Sequence, residues 1–109
     1  MYTMVLLAAL TNHIAFDAHQ EGSVWTVVPQ IMLTEDCECQ IQLQAIRKGA
    51  SGNSNTRQST RAQIKSNQPY AVSRLSVNVA PGDDLTIQVT VSDGKSVNLT
   101  QQWSPPGVL

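Results

Sequence analysis

The sequence predicts an all-β fold, an immunoglobulin-like antiparallel β-sandwich of about seven strands. Apolar residues recur at every second position over several stretches, glycine- and proline-containing turn pairs separate those stretches, and a helical period of three to four residues is hard to find. At 109 residues, with 41% hydrophobic and 14% charged side chains, the chain has apolar material for one core and lacks the composition of disorder. Residues 11–109 are expected to form a single domain. A net charge of -1 gives no general attraction to nucleic acid, and the longest apolar run, residues 4–10, is too short to span a bilayer.

Residues 1–10 read as a short leader, with Ala8 and Ala9 near a cleavage point, although no cation precedes the apolar run. The alternative is a first strand or an incomplete start. Residues 13–19 and 23–33 follow as strands separated by Glu21-Gly22, and Pro29 places the second at an edge or a bulge because it cannot donate to a ladder. Cys37, Cys39, Ile41, Leu43 and Ala45 then share one face of a strand whose other face carries Glu38, Gln40, Gln42 and Gln44. Residues 49–60, rich in Gly, Ser, Asn, Thr and Gln, read as a loop leading into residues 61–66. Leu75, Val77 and Val79 alternate with polar residues, as do Leu85, Ile87, Val89 and Val91. Pro81-Gly82 and Asp93-Gly94 supply turns, so residues 70–103 are expected to form a three-stranded antiparallel meander closed by a tight hairpin. Pro29, the inserted charges and the polar 49–60 stretch look like protection of sheet edges against further pairing.

Few residues offer chemistry. There is no Gly-rich phosphate loop, no Gly-x-Ser-x-Gly and no His-Glu-x-x-His, so an ordinary hydrolase is not expected. His13 and His19 would lie about 20 Å apart on one strand face, which prevents both from joining Cys37 and Cys39 around one metal. No metal and no cofactor are expected. Residues two apart on a strand have Cα atoms about 6.6–6.8 Å apart, the upper limit for a disulfide, so bonding Cys37 to Cys39 requires local distortion. A labile redox pair is one reading, against which Glu35, Asp36 and Glu38 disfavour a thiolate. Two small core residues are the other. Trp25, Trp103 and Met32 are read as core side chains.

Charge is segregated along the chain. Residues 1–39 carry Asp17, Glu21, Glu35, Asp36 and Glu38 without a Lys or Arg, whereas residues 40–82 carry Arg47, Lys48, Arg57, Arg61, Lys65 and Arg74 without a carboxylate. Folding either interleaves the two or leaves a basic face suited to an acidic or polar partner.

Val89-Thr90-Val91-Ser92-Asp93-Gly94, Leu99, Gln101-Gln102-Trp103, Ala50-Ser51-Gly52, Asn67-Gln68-Pro69 and the spaced cysteines after Leu33-Thr34 together give a specific pattern. In that order and spacing the chain resembles the CsgC/AgfC family of curli assembly proteins over nearly its full length. The resemblance implies a periplasmic, immunoglobulin-like protein, taken here as a monomer, that keeps the major curlin subunit from forming amyloid before secretion. Non-covalent engagement of an early curlin species would suffice, with Arg47, Lys48, Arg57, Arg61 and Lys65 steering the encounter. The competing expectation is a thiol-disulfide oxidoreductase acting on curli components through Cys37 and Cys39. In this chain Glu38 stands between the cysteines where the family is associated with an apolar residue, which weighs against a redox role.

Overall fold

Burial alternates along most strands of the structure, a computed structural model that describes residues 11–50 and 52–105. The strands are β1 (His13–Glu21), β2 (Val24–Met32), β3 (Cys37–Gly49), β4 (Gly52–Ile64), β5 (Tyr70–Ala71), β6 (Leu75–Asn78), β7 (Asp84–Ser92) and β8 (Asn98–Trp103). One sheet has β1 on one side of β2 and both β5 and β6 on the other; the second runs β4-β3-β7-β8. All pairings are antiparallel. The expected leader, residues 1–10, lies outside the described residues.

The inward faces meet in one core. Ile14 and Ile31 of the first sheet pack with Cys37, Cys39, Ile41, Leu43, Val89 and Val91 of the second. Toward the other end, Val27 meets Ala45, Leu85 and Ile87, with Trp25 and Trp103 packed against them. Each such aliphatic side chain, once fully buried, contributes about 1.5–3 kcal/mol by leaving water. Trp25 and Trp103 come from different sheets and meet edge to face, centroids 5.3 Å apart and planes at 66°, so their contact ties the two layers together. Met32 is only half-buried, on the opposite face of β2 from Ile31.

Four sequence expectations are corrected. First, Pro29 sits in an interior strand rather than at an edge, and the other alternative, a bulge, is what occurs. Its carbonyl accepts from the Val72 amide at 2.9 Å, it has no N–H to return the bond, and two residues of β2 face three between the Val27–Leu75 and Gln30–Ala71 pairs. The ladder therefore stops at Ala71 and resumes at Leu75, which is why β5 and β6 are separate strands on the same flank of β2. Second, residues 49–60 are not a loop. They belong to the β3–β4 hairpin, in which β4 pairs with β3 residue by residue from Gly52 to Ile64. Two-residue alternation is missing because residues 52–61 are exposed on both faces. Third, residues 70–103 are not one meander: the last two strands, β7 and β8, pair as expected, but β6 pairs with β2 and β7 with β3. Ala80-Pro81-Gly82-Asp83 forms a turn closed by the Asp83 amide on the Ala80 carbonyl at 3.0 Å, with Gly82 at φ 89°, and it carries the chain from one sheet to the other. Fourth, residues 93–97, rather than a two-residue turn, connect β7 to β8. Two-residue connections lie earlier, where Glu21 pairs with Val24, Gly22 taking φ 61°, and where Gly49 pairs with Gly52.

Two carboxylates hold connections by accepting backbone amides. Asp36 Oδ1 accepts from Ser66 N at 2.8 Å, and Asp93 Oδ1 accepts from Lys95 N at 2.7 Å and Val97 N at 3.0 Å. The Ser66 amide, helped by Lys65, holds the Asp36 carboxyl below its ordinary value, and the Lys95 and Val97 amides do the same for Asp93. A lowered folded-state pKa stabilises the fold fully above the unfolded value and is lost as pH falls through the folded one. Stability should therefore decline as pH drops below the ordinary value of 3.8. In acid titrations followed by circular dichroism, an Asp36→Ala, Asp93→Ala variant is expected to start lower at neutral pH and to decline less steeply. An unchanged slope would refute these two carboxylates as the source.

Candidate functional site

The outward face of the β4-β3-β7-β8 sheet is built by the register. In one row Arg57 stands beside Gln44, Gln44 beside Gln88, and Gln88 beside Gln102. The next row is Ser59, Gln42, Thr90 and Thr100, and the third is Arg61, Gln40, Ser92 and Asn98. Four strands thus present amides and hydroxyls in register, with a guanidinium at the β4 end of the outer two rows. Lateral bonds order part of the array: Gln40 Nε2 donates to Ser59 Oγ at 3.0 Å, Gln44 Nε2 donates to Asn55 Oδ1 at 3.2 Å, and the Thr90 and Thr100 hydroxyls lie 3.3 Å apart. Two shallow concavities open on it, one among Gln42, Gln44, Arg57 and Gln88, the other among Gln40, Gln42, Arg61 and Thr90.

The five basic residues singled out in the sequence do not form one patch. Arg57 and Arg61 lie on this face, and Lys48 shares it further along β3, where Asp84 stands opposite. Lys65 lies beyond β4, its Nζ 3.8 Å from Asp36 Oδ2. Arg47 has the inward parity of β3 and is committed within the fold: its Nη1 donates to the Asn78 carbonyl at 3.2 Å and lies 3.8 Å from Asp83 Oδ2. Asp83 is 5% exposed, and its Oδ2 also accepts from the Ala80 amide at 3.0 Å. Arg47 and Asp83 therefore clasp the crossover between sheets, a role the sequence signalled only through the neighbouring Pro81-Gly82.

Cys37 and Cys39 begin β3 on its buried side, and their sulfurs are joined in a disulfide. Their Cα atoms are 5.4 Å apart, so the strand contracts there, the distortion that the extended spacing required. Cys37 is 6% and Cys39 0% exposed, both within the apolar cluster of Ile41, Ile64 and Val91. The cysteines are thus core residues, as one reading had them, and are also bonded to one another. His13 and His19 are exposed on β1, with His19 Nε2 3.2 Å from Asp17 Oδ1. Among the described residues no group of three or more His, Cys, Asp or Glu is placed to hold a metal ion.

A small two-sheet β-protein with a buried Cys-x-Cys disulfide and a broad amide-and-hydroxyl face is the class that fold and site define. Among the described residues, no helix is long and apolar enough to cross a membrane. The chain belongs to the thin aggregative fimbriae synthesis protein family, Tafi-CsgC, whose pattern it matches over residues 5–103. It is 49% identical over 105 residues to the curli assembly protein CsgC of Salmonella typhimurium, covering 96% of this chain and 97% of that one. To the protein of the same name from Escherichia coli K12 it is 46% identical over 105 residues, 96% of each chain. The solved E. coli curli protein CsgC, in a SeCys form, superposes with a TM-score of 0.84 at 42% identity, over 87% of this chain and 100% of that one. The solution structure of CsgH from R. palustris, at TM-score 0.70 and 20% identity over 90% of this chain and 96% of its own, shares the fold.

Proposed function

We propose that this chain is a periplasmic curli accessory protein that holds back amyloid formation by the major curlin subunit through transient, non-covalent contact. Its membership of the curli assembly family supports the setting. The observation that carries the mechanism is the open face of β4, β3, β7 and β8, where polar side chains in register are available without any covalent chemistry. Arg57 and Arg61 on its rim supply long-range attraction, joined by Lys48 and Lys65; Arg47, bound to Asp83, contributes less. Exchange through Cys37 and Cys39 is the second reading, and burial of both sulfur-bearing residues counts against it.

Amyloid formation by purified curlin subunit, followed with this protein well below equimolar, tests the proposal. The wild type is expected to lengthen the lag, and a Cys37→Ala, Cys39→Ala variant to lengthen it equally. An Arg57→Ala, Arg61→Ala variant is expected to act more weakly at low salt, and raising ionic strength to about 0.5 M should bring the wild type toward it, because charges on the surface are then screened within a few ångströms. No delay by the wild type would sink the proposal. A delay indifferent to salt would sink the steering alone.

A further inference from the structure

The rows on the outer face have a spacing with chemical meaning. Neighbouring side chains repeat about every 4.8 Å across the strands and about every 6.8 Å along them. Strands stacked in a cross-β array repeat at about 4.7–4.8 Å, and their Asn and Gln side chains form ladders along the stacking direction. Gln44, Gln88 and Gln102 are such a ladder, three primary amides on three adjacent strands. Among the described residues, the side chains of Gln42 and Gln88 in the middle of the face have no hydrogen-bond partner within the chain, so their amide donors and acceptors are open to a ligand.

We infer that this face recognises the amide-ladder surface of already stacked, Asn/Gln-rich β-strands rather than the unstructured chain. A single neutral amide contact exchanges one hydrogen bond to water for another and gains little. Recognition then depends on repeating the contact at a fixed interval, and only a partner whose own amides stand on stacked strands offers that interval. Other occupants fit poorly. Trp25 and Trp103 lie in the core-facing layer, and no aromatic residue occurs in the three rows, so bases and sugar rings have nothing to stack on. Among the described residues, the exposed large hydrophobic one, Val24, is on β2 of the other sheet, so an apolar strand surface finds no counterpart here. Arg57 and Arg61 bound the β4 side with positive charge, which favours amide oxygens and carboxylates at that margin. This inference rests on the proposed engagement of an amyloid-forming subunit and specifies the state and chemistry recognised.

Co-sedimentation of the full chain with fibrils of a short Asn/Gln-rich peptide, and with fibrils of a Val/Ile-rich peptide, tests it apart from any curlin assay. The wild type is expected to pellet with the first and not the second, and soluble Asn/Gln-rich peptide at matched concentration should not displace it. Gln42→Thr, Gln44→Thr, Gln88→Thr removes the amides while keeping strand-favouring side chains, and should weaken pelleting by at least about tenfold. Gln30→Thr, on the other sheet, should leave it unchanged. Matched thermal melts verify folding, and Gln88→Thr alone, expected to weaken binding in the same direction, serves if the triple variant melts early. Equal pelleting with both fibrils, displacement by the soluble peptide, or unchanged binding by the glutamine variants would overturn the inference while leaving a curlin delay intact. Absence of that delay would, conversely, leave the pelleting result standing.

Discussion

Replacing Gly49 with alanine is expected to cost roughly 2–4 kcal/mol of stability, a large share of what a domain of this size possesses. A Cβ at Gly49 would fall on the Asp83 carboxyl group, 2.6 Å from its Cγ. Asp83 cannot step aside cheaply, because it is 5% exposed and its Oδ2 both accepts from Ala80 N and faces Arg47 Nη1. Displacing it breaks the clasp at the crossover and takes the buried Asp83 charge away from the Ala80 amide and Arg47 that partner it. Urea unfolding should show the midpoint falling with the slope unchanged. An Asp83→Ala background should absorb much of the effect, since the obstacle is then gone and the two substitutions act on one contact. A Gly49→Ala protein within about 0.5 kcal/mol of wild type, the range of ordinary surface changes, would show that the clasp is not needed.

Reduction of the Cys37–Cys39 disulfide is expected to be at least about 10³-fold slower in the native protein than in the unfolded chain, given typical domain stabilities. A reductant must bring its thiolate in line with the bond, and Ile41, Ile64 and Val91 share the cluster in which both cysteines are buried. Attack then waits for opening of the core. Glu38, on the solvent side of the same turn of chain, adds negative charge that repels an approaching thiolate. Timed exposure to dithiothreitol followed by alkylation and mass measurement gives the rate directly. Native reduction as fast as in denaturant would mean an accessible pair and would return the exchange reading to the front.

Both strands that could be read well from the sequence, β3 and β7, have one face in the core and one in water, so their composition alternates as their burial does. β4 could not be read that way. Its residues 52–61 have solvent on both sides, leaving only the backbone pairing with β3 to make them a strand, and that information resides in the partner. Which sheet a strand joins is equally invisible in β6 and β7, whose patterns are right but whose sheets differ. Period two says which way a side chain points and not which strand lies alongside. The site shows the same limit: Gln40, Gln42 and Gln44 were visibly on one face, but their continuation into Gln88, Thr90 and Gln102 appears only once three strands are in register. Arg47 was indistinguishable from Arg57 as a cation in the sequence, and the fold separates them by placing Asp83 beside the first.

The reach of β4 beyond the cover of the first sheet has a dynamic consequence. Residues 52–61 hold to the molecule through β3 alone, by its ladder and the Gln40–Ser59 and Gln44–Asn55 side-chain bonds, with exposed side chains and no apolar packing. Amide hydrogen exchange there should proceed through a local opening of the β3–β4 tip, at a fraction of the free energy needed to expose β7, whose inward residues are fully enclosed. The protein would then contain two cooperative units of unequal stability, a durable sandwich and a polar arm that can part from it without unfolding the rest.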